Sequence, residues 1–161
     1  MGVAGAGKST VGAALARELA AEFLEGDDFH PARNVEKMKR GEPLDEADRT
    51  PWLRRLRAAI DDAVAQGRDV VVACSALRRA HRKLLLSGQE AQVVYLRAEA
   101  ALLRARLAAR REHFFGPALL ESQLAALEEP PRAIEVDASL SVEAIVRAVA
   151  ERLRATSSGD P

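Results

Sequence analysis

The sequence predicts a three-layer α/β domain built on a parallel sheet. Three observations carry that reading. Short apolar runs such as DVVVACS (69–75) and QVVYLR (92–97) alternate with longer stretches in which apolar residues recur every three or four positions. The N-terminal GVAGAGKS (2–9) has the spacing G-x-x-x-x-G-K-S, which cradles phosphate where a strand gives way to a helix. The chain has 161 residues with no repeat and no linker long enough to divide it, so one domain is expected.

The elements follow in order. Residues 8–21 read as a helix, with Val11, Leu15 and Leu19 on one stripe. AEFLE (21–25) reads as a short strand, and GDDFHP (26–31) as a polar turn. A short helix is expected over 32–40, stopped by Gly41 and Pro43. Thr50 and Pro51 read as the cap and first residue of a longer helix, whose stripe of Trp52, Leu56, Ile60 and Val64 runs to Gly67. After the strand at 69–75 come a helix at 77–87, a strand at 92–97 and an arginine-rich helix at 99–111. HFFGP (113–117) breaks the pattern. A helix at 118–128, a strand at 133–137 and a helix at 141–155 complete the domain. Residues 156–161 are expected to form a disordered tail.

Composition narrows the function. Lys plus Arg and Asp plus Glu each number 24, a zero formal charge that argues against a general nucleic-acid binder. Cys74 is the only cysteine, which rules out an intramolecular disulfide and disfavours structural zinc. No apolar run approaches the roughly 18 residues of a membrane span, and a cytoplasmic protein is the expectation. Cys74 and Trp52 read as core.

The loop supplies the first chemistry. Its glycines let successive N–H groups converge on one anion at the helix N-terminus. Gly5, Ala6 and Gly7 would wrap the phosphates of ATP, Lys8 would reach the β- and γ-phosphates, Ser9 would offer its hydroxyl to Mg²⁺, and Thr10 adds a second hydroxyl. Ligands bind at the carboxyl ends of strands in open α/β sheets. Asp27 follows strand 21–25 at that end and is the candidate to orient or deprotonate an acceptor hydroxyl, with Asp28 as its alternative. His30 and Lys37 add donors for a polyhydroxylated or anionic substrate. Arg78 and Arg82, four apart after strand 69–75, suit a carboxylate or phosphate. Arg104, Arg106, Arg110 and Arg111 precede HFFGP and read as a mobile flap that brings charge over a transferring phosphoryl group.

Taken together, GVAGAGKST, EGDDFHPARNVEKMKRGEPLDEADRTPWL, CSALRRAHR and ARREHFFGPALLESQLAALEEP resemble bacterial P-loop gluconate kinases, from Gly2 to about Asp137. The resemblance implies phosphorylation of D-gluconate by ATP and Mg²⁺ on a parallel sheet of order 2-3-1-4-5, a lid near 106–117 and, in many members, a dimer. It implies that Lys8, Asp27 and Arg110 are catalytic and that Arg106 and Arg110 lie near the nucleotide. It places Asp27, His30, Lys37, Arg49, Arg78, Arg82 and Gln123 on the substrate side, and His113 in the lid. A primary hydroxyl at one end of gluconate and a carboxylate at the other suit such a set, and 4% aromatic residues fit poorly with a nucleobase acceptor. A kinase for another sugar acid and a non-catalytic nucleotide-binding remnant are the alternatives.

In that fold the first strand is central and precedes the loop, whereas only Met1 precedes Gly2 here. The expectation is an upstream start, a truncated form being the alternative. Either way, a gap is expected between the strands near 70–74 and 93–97.

Overall fold

The computed structural model describes residues 1–109 and 117–157. Its helices are α1 (Lys8–Glu18), α2 (Ala32–Lys39), α3 (Glu46–Ala65), α4 (Arg79–Leu86), α5 (Ala100–Ala108), α6 (Pro117–Ala126) and α7 (Val142–Ser157). Four strands, β1 (Glu22–Glu25), β2 (Val70–Ala73), β3 (Val94–Arg97) and β4 (Ile134–Asp137), lie between them, and a 3₁₀ turn spans Gly26–Phe29. β1 runs parallel to β2 with Glu22 opposite Val70, and β3 runs parallel to β4 with Val94 opposite Ile134.

Alternation along the strands builds the layers. Val71 packs into a cluster with Val11 and Leu15 of α1, Leu103 of α5, Leu120 of α6 and Val149 of α7. Its neighbour Val72 packs into a second cluster with Trp52, Leu56 and Ile60 of α3 and Leu85 of α4. Successive strand residues face opposite sides, so these are the two faces of the sheet. Leu56, Leu103 and Val149 have no exposed surface, and truncating such a leucine to alanine costs about 2–5 kcal/mol.

The described strands form two pairs rather than one continuous sheet. Only Met1 and Gly2 stand between them. Met1 bridges to β3 at both ends: its α-amino group donates to Val94 O (2.5 Å) and its carbonyl accepts from Leu96 N (3.0 Å). Gly2 N donates to Ser75 O just beyond β2 (3.4 Å). Beside them lies a cleft of about 1050 Å³, lined by Val11, Leu15, Ile60, Val71, Leu85 and Leu96. The expected gap is therefore present. It holds room for many waters at about 30 Å³ each, against walls that are largely apolar.

Two of the boundaries that differ from the sequence reading have a cause visible in their hydrogen bonds. α3 starts four residues before Thr50, because Asp45 and Asp48 form a reciprocal capping box: Asp48 N donates to Asp45 Oδ1 (2.9 Å) and Asp45 N to Asp48 Oδ2 (3.2 Å). Pro51 then sits in the second turn, where Thr50 turns its hydroxyl back onto Glu46 O (2.8 Å). At the other end, α7 continues through Thr156 and Ser157, placed in the tail by the sequence reading; Thr156 Oγ1 donates to Leu153 O (2.8 Å).

Burial pushes the Met1 amine down to about 5. Joining an apolar segment of about five residues ahead of Met1 is expected to seat a strand in the cleft and replace that amine by an amide. Tm should rise by about 2–4 °C for each kcal/mol gained. An unchanged or lower Tm in a thermal melt would show that the cleft takes no strand.

Candidate functional site

The phosphate loop owes its shape to two glycines at left-handed φ, Gly5 at 84° and Gly7. Gly7 adopts φ 91° and ψ 18° immediately before α1, a conformation that costs residues with a Cβ. No side chain caps the helix, and its first turn carries no acid. The start of α1 is thus open to an anion. Around it, Lys8 Nζ donates to Val3 O (3.1 Å), Ala4 N donates to Gln123 Oε1 of α6 (2.7 Å), and Ala6 is buried with its N–H on Val3 O (3.3 Å). Arg106 of α5 donates to Ala138 O (2.8 Å) and reaches Gly5 O (3.5 Å), tying the loop to the end of β4.

Facing the loop is the 3₁₀ turn after β1. Gly26 is required there because a Cβ would lie 2.6 Å from Ala73 O of β2. Its carbonyl accepts from Trp52 Nε1 (2.6 Å), and the indole stacks on His30 with centroids 4.1 Å apart and planes 16° apart. Trp52 is therefore core and site wall at once.

Asn34 sets the chemistry of His30. Wholly buried on α2, it directs its amide nitrogen at His30 Nδ1 (3.3 Å) and at Asp48 O (2.9 Å). An amide N–H pointing at Nδ1 makes that atom the acceptor, so the neutral ring carries its proton on Nε2. Nε2 lies 3.9 Å from Asp27 Oδ1. Burial pushes the His30 imidazole below its ordinary 6.5, against an opposing pull from Asp27 and with a further push from Arg49. Asn34 Oδ1 is the one buried side-chain nitrogen or oxygen without a partner among the described residues.

One cavity joins these parts. Gly5, Gly7, Lys8, Ser9 and Thr10 line one side, and Asp27, His30, Arg49 and Gln123 line the rest. Ser75, His81 and Ser122, which the sequence reading did not single out, line it too. The signal that could have found His81 is its place in the segment after β2, one residue before Arg82.

Other expected members stand elsewhere. Lys37 is bound to Asp48 (2.6 Å) and Asp45 (3.7 Å), and the hydrogen bond to Asp48 raises its pKa. Arg78 lies 3.6 Å from Glu46 and outside the cavity wall. Arg82 stands off the cavity lining: its guanidinium is buried and donates to Ala76 O and Leu77 O (2.9 Å each), holding the loop between β2 and α4. Arg104 pairs with Glu121 of α6 (2.6 Å). Arg110, Arg111, His113 and most of the expected lid lie outside the described residues. Cys74 is core as expected, and burial pushes its thiol up to about 11. Among the described residues no cluster of three His, Cys, Asp or Glu side chains could hold a metal, and no helix is long and apolar enough to cross a membrane.

The arrangement can bind an anion at the start of α1 and hold a polar acceptor between Asp27, His30 and Arg49. Comparison with known proteins shows the family. The family model described as "AAA domain" matches residues 1–130. The thermoresistant gluconokinase of Escherichia coli (strain K12) is 38% identical over 159 residues, covering 96% of this chain and 91% of that protein. A sugar kinase from Janibacter sp. HTCC2649 superposes with a TM-score of 0.88 at 37% identity, covering 96% of this chain and 91% of the other. A gluconokinase from Sinorhizobium meliloti 1021 gives 0.79 at 40% identity, covering 98% and 94%.

The lowered pKa of His30 has a consequence for stability. An unfolded chain takes up a proton at His30 near pH 6.5, whereas the folded chain resists until lower pH. The contribution is whole above about pH 6.5 and declines as pH falls below it. The urea midpoint should therefore fall from pH 7 to 5, and fall less steeply in His30→Gln. Equal slopes in the two proteins would overturn the assignment of a buried neutral imidazole.

Proposed function

The chain belongs to the gluconokinase family, and on that premise we propose that it transfers the γ-phosphoryl group of ATP to the terminal hydroxyl of D-gluconate, giving 6-phospho-D-gluconate. The observation that carries this reading is the single cavity that has the phosphate loop on one wall and Asp27, His30 and Arg49 on another. Donor and acceptor thus meet in one space, as a direct transfer requires.

The residues suit their parts. The open start of α1 and the left-handed Gly7 fit a polyphosphate, and Lys8 would place its charge on the phosphate that moves. Ser9 would give its hydroxyl to Mg²⁺, which, when bound, supplies charge neutralisation at the phosphate oxygens. Asp27, with its side chain more than half exposed in the cavity, is the group to accept or orient the proton of the attacking hydroxyl. His30 Nε2–H beside it donates to a substrate oxygen. Arg49 is a fork for the carboxylate at the far end of gluconate. Gln123 holds the loop through Ala4 N and closes the wall. Arg106 braces the loop from α5.

The test is gluconate-dependent ATP consumption in a coupled assay, run beside a panel of other sugar acids. Lys8→Ala and Asp27→Asn are each expected to lower kcat by at least about 10²-fold with Tm within a degree or two of the parent. A parent chain that consumes ATP no faster with gluconate than without it would remove the gluconate reading. A larger kcat/KM for another acid would transfer the reading to that acid.

A further inference from the structure

Glu46, the first residue of α3, gathers groups from two helices onto one carboxylate. Its Oε2 lies 3.0 Å from His81 Nε2 on α4, and its Oε1 lies 3.3 Å from Arg49 Nη1 and 3.6 Å from Arg78 Nη1. The hydrogen bond with His81, ahead of the nearby guanidinium groups, holds the Glu46 carboxyl below the usual carboxylate range. It is therefore an anion and an acceptor, and His81 must be the donor at Nε2.

A neutral imidazole that donates at Nε2 has a lone pair at Nδ1. Among the described residues, that atom has no hydrogen-bond partner. Yet the residue is only 5% exposed, and the surface it keeps lines the same cavity as Lys8 and Asp27. Asp27 accepts there at the attacking hydroxyl and the serine hydroxyls can do either, but several of the remaining side chains only donate. Arg49 and Lys8 have only protons to give, His30 donates at Nε2, and the Gln123 oxygen is already taken by Ala4 N. A polyhydroxylated substrate brings several O–H groups that each need an acceptor.

We propose that His81 acts in its neutral form as a substrate-recognition residue whose Nδ1 accepts a hydrogen bond from one secondary hydroxyl of the bound sugar acid, and that Glu46 is the positioning residue that fixes its tautomer. This rests on the gluconate reading above and adds a contact that distinguishes hydroxylated from deoxygenated acids.

His81→Gln separates recognition from support, because the longer amide retains a donor for Glu46 and lacks the second ring nitrogen. It should raise the gluconate KM about three- to tenfold, with the ATP KM and Tm unchanged. His81→Asn keeps an acceptor near Nδ1 and loses the bond to Glu46. It should show the smaller KM change and the lower Tm. A series of mono-deoxy gluconates gives a reading that survives poor folding of either variant: at one position the parent enzyme should lose the same factor as His81→Gln, and that analogue should be indifferent to the substitution. A gluconate KM within twofold of the parent in His81→Gln at equal Tm, or a deoxy series with no such position, overturns the proposal alone. A parent chain with no gluconate turnover overturns it together with the gluconate reading.

Discussion

The fold depends on how the phosphate loop is anchored between two half-sheets. Each half is a pair of four-residue strands, and an isolated pair of that size is marginal in water. Met1 and Gly2 touch both halves, but with three hydrogen bonds only. The larger share of the coupling comes from α1, which begins at the loop. Its Val11 and Leu15 pack in one cluster with Leu96 of β3, Val136 of β4 and Val149 of α7, and Gly12 meets the Phe23 ring of β1. The helix that presents its N-terminus to phosphate is therefore also the element that staples the halves together. Loosening the loop would cost core packing, which is a physical reason for a rigid anion site on so short a sheet.

A second constraint is charge. The chain has equal numbers of acids and bases, and much of the basic side-chain density near the site is matched locally. Lys37 is held by Asp48, Arg78 approaches Glu46, Arg104 pairs with Glu121, and Arg82 is absorbed by backbone carbonyls. Exposed pairs of this kind add little stability, about 0–1 kcal/mol each. Arg49, on the cavity wall, also shares the Glu46 carboxylate with Arg78. The loop and Arg49 stand in one cavity, which suits a small acid whose carboxylate is remote from its reacting hydroxyl.

The fold class was legible because it rests on local signals: the alternation of β-branched runs with helical stripes, and a loop with fixed glycine and lysine spacing. The place of Asp27 and His30 on the cavity wall was legible for the same reason, since a strand end followed by a polar turn is local. What escaped was pairing over distance. Arg82 reads as a substrate ligand from its spacing to Arg78, yet its partners are carbonyls five and six residues back that a bend in the chain turns toward it. Trp52 reads as plain core, because nothing in sequence announces a bond to Gly26 or a stack on His30. The start of α3 was read at Thr50–Pro51 because that dipeptide is a strong cap, but the Asp45–Asp48 box satisfies two backbone N–H groups at once and prevails.

The two histidines show how the surroundings divide a chemistry that sequence leaves undivided. Each ring has one nitrogen taken by a neighbour, but the fold turns the rings to opposite use. Asn34 occupies Nδ1 of His30, so that ring can offer the cavity only a donor. Glu46 occupies Nε2 of His81, so that ring can offer only an acceptor. A carboxylate or phosphate has acceptors alone and is satisfied by His30, Arg49 and Lys8. A hydroxyl both gives and takes, and a wall that holds acceptors such as Asp27 and His81 Nδ1 beside donors can meet both needs. Discrimination between a hydroxylated acid and its deoxygenated counterpart then follows from an unpaired buried group, the form of selectivity that binding sites achieve most strongly.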